Sequence, residues 1–305
     1  MLVTLKKVLL DAEKGKYAVP AFNINNMEIL QAIIRGAVKL KSPVIVQTSE
    51  GAIEYAGIDY LVAMVKVAAK APIPVVLHLD HGKDMKIIKQ TINSGYTSVM
   101  VDASILPYEQ NVKKTKEVVR LAHKKGISVE AEIGAIQGIE DLVSVSEKEA
   151  FFTDPKQAKE FVDKTKCDAL AISIGTAHGP CKFKGKPMLD FKRLQEIKKM
   201  VNIPLVLHGA SQVDQKYVQK AKKYGAKLVN ARGVSDVLLR HAIKLGIRKV
   251  NTDTDLRLAF NAALRETIAK DKTAYDPRKL LGPARDEIQR AVEHRIIVCG
   301  SRNKA

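Results

Sequence analysis

The sequence has no tryptophan, few aromatic residues and no concentrated basic block. Aromatic residues make up 5% of the 305 residues. Proteins that bind nucleic acid gather basic and stacking side chains on one surface. The net charge of +18 comes instead from lysines scattered along the chain, as in KKTKEVVRLAHKK. We therefore expect no nucleic-acid partner, and the positive charge favours a lysine-rich soluble protein with an anionic substrate.

Cysteine and long apolar runs are also scarce. The three cysteines, Cys167, Cys181 and Cys299, form no CxxC pair, and their odd number leaves at least one unpaired. This pattern favours a reducing compartment. No apolar run reaches the roughly 18 residues of a membrane helix, and the N-terminal segment lacks the features of a signal peptide. We expect a cytoplasmic protein without a membrane partner.

Short apolar runs alternate with amphipathic helical patterns along the chain. Their nearly continuous apolar character is typical of parallel strands that are buried on both faces. The predicted strands are Ala18–Asn23, Pro43–Ser49, Pro74–Asp80, Ser98–Ser104, Ser128–Gly134, Ala169–Gly175, Pro204–Ala210 and Lys249–Asp253. The predicted helices between and after them are Met27–Lys41, Tyr60–Lys70, Glu109–Lys125, Pro155–Thr165, Phe191–Met200, Ser235–Leu245, Asp255–Lys270 and Arg278–Arg295.

Eight strands that alternate with helices predict an α/β fold, a (β/α)8 TIM barrel over residues 1–305. The last two helices exceed the minimal barrel and would cap it or form a subunit interface. An open doubly wound sheet is the alternative, but it predicts a GxGxxG turn after an early strand, which is absent. The long connection at 135–153 is expected to be a functional lid.

Polar side chains follow the predicted strands where they end. Three apolar runs finish in histidine beside glycine, at His81, His178 and His208. Three imidazoles with an open position are a catalytic zinc arrangement. His78 lies two residues before Asp80, so it should point into the barrel on the same side of its strand. The other strand-end residues are Asn23, Ser49, Asp102, Glu132, Asn251 and Asp253.

Two groups of residues extend this predicted site. Asp102 and Glu132 would hold a second metal position or orient the histidines. The glycine-rich turns HGAS and HG and the NTDT segment offer backbone N–H groups for phosphate, and Lys182 and Arg257 add positive charge. A metal beside a phosphate pocket suggests a small phosphorylated carbonyl substrate.

The motifs HLDHG, SVMVDAS, SVEAEIG, GTAHG, LVLHGAS and KVNTDTDLRLAF span nearly the whole chain. Together they resemble class II, metal-dependent fructose-bisphosphate aldolases, in the shorter bacterial branch with the DTDLR form. The resemblance implies zinc-dependent, reversible cleavage of fructose 1,6-bisphosphate to dihydroxyacetone phosphate and glyceraldehyde 3-phosphate, in glycolysis and gluconeogenesis. The two extra C-terminal helices predict a homodimer or homotetramer.

The resemblance assigns a role to each matching residue. It implies zinc ligation by His81, His178 and His208, with Asp102 and Glu132 as an alternative position for the ion. Asp80 would exchange a proton with the C4 oxygen, and Glu140 would move the C3 proton. The substrate contacts that it implies are Asn23, Ser49, Gly179, Lys182, Gly209, Ser211, Asn251, Asp253, Thr254 and Arg257. A monovalent cation, Na⁺ or K⁺, is implied near Gly179 and Ser211.

Two departures and three alternatives accompany the resemblance. The family loop commonly reads GG before its acidic pair, where this chain has Gln137-Gly138-Ile139-Glu140, and Ala177 stands where serine is frequent. Asp253 favours fructose over tagatose bisphosphate, because tagatose-bisphosphate aldolases usually lack this carboxylate. The alternative role for Asp253 is only to cap the helix that starts near Asp255. A non-catalytic metal-dependent binding barrel would not need the complete His, Asp and Glu set. A Schiff-base aldolase would need a strand lysine near the substrate.

Overall fold

Eight parallel strands close into a barrel within the described residues of this computed structural model. The structure describes residues 1–134, 136, 152–177, 188–228 and 232–305 fully, and 138–140 and 143–145 by their backbone. The strands are β1 (Val19–Asn23), β2 (Val44–Thr48), β3 (Val75–Gly82), β4 (Ser98–Val101), β5 (Ser128–Ile133), β6 (Gly138–Glu140), β7 (Val143–Val145), β8 (Ala169–Ile172), β9 (Leu205–Leu207) and β10 (Ile247–Thr252).

The order of strands in the sheet confirms the predicted barrel. Around the barrel it runs β1-β2-β3-β4-β5-β8-β9-β10, and β10 pairs in parallel with β1 to close it. All eight predicted strands are present. The open-sheet alternative is therefore wrong, because it would leave β1 or β10 with a free edge. β6 and β7 form a separate antiparallel hairpin inside the connection that was expected to be a lid.

The helices surround this barrel in the described part of the chain. They are α1 (Leu5–Gly15), α2 (Met27–Lys39), α3 (Glu50–Ala56), α4 (Ile58–Ala68), α5 (Met85–Ser94), α6 (Tyr108–His123), α7 (Pro155–Thr165), α8 (Phe191–Met200), α9 (Gln215–Lys223), α10 (Asp236–Lys244), α11 (Thr254–Lys270) and α12 (Pro277–Cys299). Asp154 and Asp190 cap α7 and α8 by accepting backbone N–H bonds. None of the helices described here is long and apolar enough to span a membrane.

The barrel interior changes from apolar to polar along its axis. At the N-terminal end, Leu5 and Leu9 of α1 belong to one buried cluster with Val19, Val76 and Val206 from the strands. Strand residues alternate between the interior and the helix layer. Further along the same strands, the interior positions are therefore occupied by buried polar residues, which are His78, Asp80, Glu130, Glu132, His208, Lys249 and Asn251.

The two C-terminal helices cover the outside of the barrel. α12 packs against both α11 and α2. The approach to α2 is close, because a Cβ atom at Gly36 would lie 2.9 Å from Cγ1 of Val292. The carbonyl of Cys299 accepts a hydrogen bond of 3.0 Å from the backbone of Ala18, directly before β1. These helices are thus part of the wall of the fold.

Candidate active site

Three strands bring amide side chains around the carboxylate of Asp80. Asp80 is 3% exposed at the C-terminal end of β3. Its Oδ2 accepts hydrogen bonds from Asn23 on β1 (2.9 Å) and Gln47 on β2 (3.0 Å). Its Oδ1 accepts a bond of 3.0 Å from Asn251 on β10. Three N–H donors from three strands fix the orientation of a buried carboxylate that needs such partners.

A β-bulge turns the next residue into the same site. Consecutive strand residues normally point to opposite faces. The pairing of β3 with β4 shifts register between Leu79 and Gly82, and His81 has a φ of 50°. Left-handed backbone is uncommon for a residue other than glycine, and it clusters at functional sites. The bulge lets both Asp80 and His81 reach the site.

His81 and His208 face each other across the barrel mouth. Nε2 of His81 lies 2.9 Å from Nδ1 of His208, and the two rings are nearly perpendicular at 89°. The outer nitrogens contact carboxylates: His81 Nδ1 lies 2.9 Å from Asp102, and His208 Nε2 lies 2.8 Å from Glu130. Such carboxylates set the tautomer and direct the inner nitrogens at one point, as in metal-bound histidines.

The charges around His81 decide its protonation. Burial alone would lower the pKa of His81, but the carboxylates of Asp80 and Asp102 outweigh burial and raise the pKa to about 10. The proton at Nε2 is then donated to His208 Nδ1, which explains the short distance between the two rings. His81 and His208 would hold a divalent metal once this proton leaves.

The donor set fits a divalent metal. Asp80, His81 and His208 each offer one ligand atom, and these atoms lie within 4.8 Å of one another. Glu132 Oε2 is buried, lies 3.7 Å from His208 Nδ1 and accepts no hydrogen bond among the described residues. Burial and the nearby Asp102 raise the pKa of Glu132 to about 8. An unsatisfied buried carboxylate oxygen beside two imidazoles is suited to a cation.

A fully buried charged layer lies directly below this donor set. It consists of His78, Glu130 and Lys249. Lys249 Nζ lies 2.9 Å and 3.1 Å from the two carboxylate oxygens of Glu130. His78 Nδ1 contacts Ser98 at 2.9 Å, and burial together with the charge of Lys249 holds the pKa of His78 well below its usual value. His78 therefore lies inside the barrel, as its spacing from Asp80 predicts.

The predicted phosphate-binding turns after β9 and β10 lie at the same end of the barrel. Gly209 has a φ of 59°, and a Cβ there would lie 2.6 Å from the carbonyl oxygen of Ala177, so this turn requires glycine. Ser211 follows Gly209 on one turn and Thr254 follows Asn251 on the other, and both residues are buried. Ser49 caps α3 by accepting a bond from the Ala52 backbone.

Asp253 does not cap α11 with its side chain. It occupies the N-cap position without a capping bond, and its carboxylate forms a 2.7 Å ion pair with Arg257. Arg257 also lines a cavity of about 510 Å³ with Asn26, Tyr55 and Phe260. This places Arg257 between the strand ends and an open cavity.

Several predicted residues cannot be placed in this site. His178, Gly179 and Lys182, and the side chain of Glu140, lie outside the described residues. The backbone of Glu140 belongs to β6.

Three functional neighbours were not predicted from the sequence. Gln47 contacts Asp80, Glu130 contacts His208, and Lys249 contacts Glu130. The sequence does contain a signal for two of them. Glu130 lies two residues before Glu132, and Lys249 lies two residues before Asn251, so each shares that residue's side of the strand. The barrel therefore does contain a strand lysine, the residue type that a Schiff-base aldolase would need. Lys249 is fully buried under Asn251 and paired with Glu130.

Comparisons with known proteins agree with this geometry. The family described as "Fructose-bisphosphate aldolase class-II" matches residues 3–304. Fructose-bisphosphate aldolases from Thermus caldophilus and from Helicobacter pylori strain 26695 are each 47% identical, with all of both chains covered. The crystal structure of the YdjI aldolase from Escherichia coli K12 is similar with a TM-score of 0.82 at 33% identity, again covering both chains fully.

Proposed function

Because the chain belongs to the class-II fructose-bisphosphate aldolase family, we propose that it cleaves fructose 1,6-bisphosphate reversibly to dihydroxyacetone phosphate and glyceraldehyde 3-phosphate. The reaction belongs to glycolysis and gluconeogenesis. The observation that carries this proposal is the convergence of His81 and His208 beside the amide-bound carboxylate of Asp80. An aldolase needs this combination of a metal site and an acid–base group.

The metal proposed for this site is zinc, held by His81, His208 and His178. Asp102 and Glu132 form the alternative position for the ion. When bound, a divalent ion supplies a Lewis acid that polarises the substrate carbonyl. Imidazole-rich sites also accept cobalt and iron, so the ion in the cell depends partly on supply. A monovalent cation, Na⁺ or K⁺, is proposed near Gly179 and Ser211.

Asp80 and Glu140 are proposed to move two different protons. In cleavage, Asp80 takes the proton of the C4 hydroxyl as the C3–C4 bond breaks, and C4 becomes the aldehyde carbon. The bonding electron pair stays on C3, where the adjacent carbonyl delocalises it. Glu140 then delivers a proton to C3. The hydrogen bonds from Asn23, Gln47 and Asn251 orient Asp80 for the first step.

The substrate contacts are proposed around these groups. Residues on the turns after β8, β9 and β10 would bind the triose phosphate, and they are Gly179, Lys182, Gly209, Ser211, Asn251, Asp253 and Thr254. Ser49 and Arg257 would contact the second phosphate, which agrees with the position of Arg257 beside an open cavity. Asn23, which donates a hydrogen bond to Asp80, would also contact a substrate hydroxyl.

The cellular form of the enzyme is also a proposal. We expect one catalytic domain over residues 1–305 in a cytoplasmic homodimer or homotetramer. Light scattering of the purified protein would measure the assembly directly.

A coupled assay with fructose and tagatose bisphosphates, with and without a chelator, tests the proposed reaction. We expect cleavage of the fructose isomer, loss of activity after chelation and recovery with zinc or cobalt. Preference for tagatose bisphosphate would transfer the assignment to that alternative. Zinc binding without cleavage of either sugar would favour the non-catalytic barrel.

A further inference from the structure

The turn after β9 is held by a side chain from another part of the chain. Asp255 Oδ1 accepts a hydrogen bond of 2.7 Å from the backbone N–H of Val213. Its Oδ2 accepts one of 2.9 Å from the N–H of Gln212. Val213 has a φ of 56°. A β-branched residue rarely adopts left-handed backbone, so tertiary contacts must keep this turn in place.

Asp255 is buried and paired with an arginine of the C-terminal helix. Arg295 Nη2 on α12 lies 2.8 Å from Asp255 Oδ2. The side chains are 2% and 8% exposed. A charged pair this deeply buried depends on both partners, because removal of one leaves the other charge without compensation.

The bonds of Asp255 differ from ordinary helix capping. Asp255 belongs to the first turn of α11, where an acidic side chain often accepts N–H groups of its own helix. Here both oxygens accept N–H groups from the turn after β9 instead. Asp255 therefore joins two segments that follow neighbouring strands, β9 and β10.

Those two segments carry the parts of the proposed triose-phosphate pocket that follow β9 and β10. Gly209 and Ser211 precede Gln212 on the first segment, and Asn251 and Thr254 precede Asp255 on the second. A second contact supports the first segment: the carbonyl of Ser211 accepts a bond of 3.1 Å from Val234. A Cβ atom at Gly233 would clash with that carbonyl of Ser211.

We propose that Asp255 and Arg295 are positioning residues that hold the β9 and β10 parts of the phosphate pocket together. The proposal rests on the proposed function. It gives α12 a role beyond covering the barrel, because its arginine neutralises the aspartate that fixes the turn. Neither residue touches the substrate, so both act through the backbone that does.

The test replaces Arg295 by methionine, which keeps most of the length and removes the charge. We expect the KM for dihydroxyacetone phosphate to rise about 10- to 100-fold, as a displacement of ~1 Å in a binding group can produce. The kcat for exchange of its C3 proton should fall less. Arg295→Lys keeps the charge and should recover much of the affinity. Asp255→Asn should resemble Arg295→Met.

Hydrogen exchange separates positioning from general destabilisation. In Arg295→Met, we expect the amides of Gln212 and Val213 to exchange at least about 10-fold faster, while the amide of Leu207 in β9 keeps its protection. Arg290→Met is the matched control, since Arg290 lies on the same helix, pairs with Glu287 and is 63% exposed. This control should retain the KM and the exchange rates of the unmodified protein.

The outcomes distinguish the two proposals. An unchanged KM with unchanged exchange at Gln212 and Val213 in Arg295→Met would overturn the positioning role. Faster exchange throughout the barrel would also overturn it, because the pair would then be merely structural. If the unmodified protein neither binds dihydroxyacetone phosphate nor cleaves the bisphosphate, the proposed function fails. In that case the link between Asp255 and phosphate binding fails as well. The exchange rates of Gln212 and Val213 still decide whether Asp255 fixes the turn.

Discussion

Replacing Lys249 by methionine should destabilise the barrel strongly, although the substitution adds no bulk and exposes no surface. Lys249 Nζ contacts both oxygens of Glu130, at 2.9 Å and 3.1 Å, and both side chains are 0% exposed. Without the ammonium group, Glu130 keeps its hydrogen bond to His208 and a longer approach of 3.6 Å to Nε2 of His78. Breaking a buried pair from one side costs about 3–5 kcal/mol in the free energy of unfolding.

The double variant Lys249→Met with Glu130→Gln provides the decisive comparison. It removes both charges, so the penalty for a lone buried carboxylate disappears. Its loss of stability should be smaller than the sum of the two single losses by about 1–3 kcal/mol. Glu130→Gln keeps an oxygen that can accept the hydrogen bond from His208 Nε2, so His208 should stay oriented and the double variant should still bind metal.

Urea unfolding of the metal-free proteins measures these losses, and competition with a chelator measures metal affinity. Lys198→Met is the matched control. Lys198 pairs with Glu13 at 2.8 Å, but the two side chains are 26% and 32% exposed, so we expect a loss of at most about 1 kcal/mol. Two results would show that the Lys249–Glu130 pair does not stabilise the barrel as a buried charge pair. In one, Lys249→Met loses no more unfolding free energy than this control; in the other, the double variant loses the sum of the two single losses.

Four further predictions concern the proposed chemistry. Chelation should abolish cleavage and zinc or cobalt should restore it; full activity in a preparation that elemental analysis shows to be metal-free would contradict this. Apparent metal affinity should rise as pH increases from 7 towards 10. The reason is that the pKa of His81 is about 10, so a bound proton must leave before the metal binds. Calorimetry in several buffers measures this proton release, and a metal affinity that does not change with pH would contradict the prediction. Asp80→Ala should slow carbon–carbon cleavage by about 10²–10⁴-fold, while Glu140→Ala should mainly slow exchange of the C3 proton of dihydroxyacetone phosphate, and normal exchange would rule out Glu140. Asp253→Ala should narrow the preference for fructose over tagatose bisphosphate, by about 5- to 150-fold if one hydrogen bond worth ~1–3 kcal/mol selects the C4 hydroxyl; an unchanged ratio in a folded variant would exclude this role.

The barrel could be predicted from the sequence because its strands are buried on both faces. Each strand is a short apolar run, and each predicted strand overlaps an observed one. The ends were less accurate: the strand predicted at Pro204–Ala210 is only Leu205–Leu207, because the chain turns at His208 towards the site. Among the helices after β1, α3, α5 and α9 were missed. α3 spans 7 residues, which is too short for a helical period to be recognised.

The residues of the site could be predicted only where an ionisable or amide side chain lies at the end of an apolar strand. His81, Asp80 and Asn251 stand out because ionisable or amide groups interrupt apolar runs. Gln47 and Glu130 do not, since a single polar residue inside a strand resembles one on its solvent face. Only the register of the closed barrel turns these side chains inward. The sequence motif HLDHG also conceals the bulge, although this bulge allows two consecutive residues to serve one site.

The charged layer links the metal-binding imidazole of His208 to the acid–base carboxylate of Asp80. Hydrophobic residues in its place would avoid the cost of burying charge, so its presence requires a reason. His208 needs a carboxylate at Nε2 if Nδ1 is to face His81, and Glu130 supplies it. That carboxylate lies beyond the reach of water and therefore needs a cation, which Lys249 provides from β10. Because β10 also carries Asn251, which binds Asp80, one strand supports both the metal-binding imidazole and the acid–base carboxylate. The two functions of the site should therefore fail together when β10 shifts.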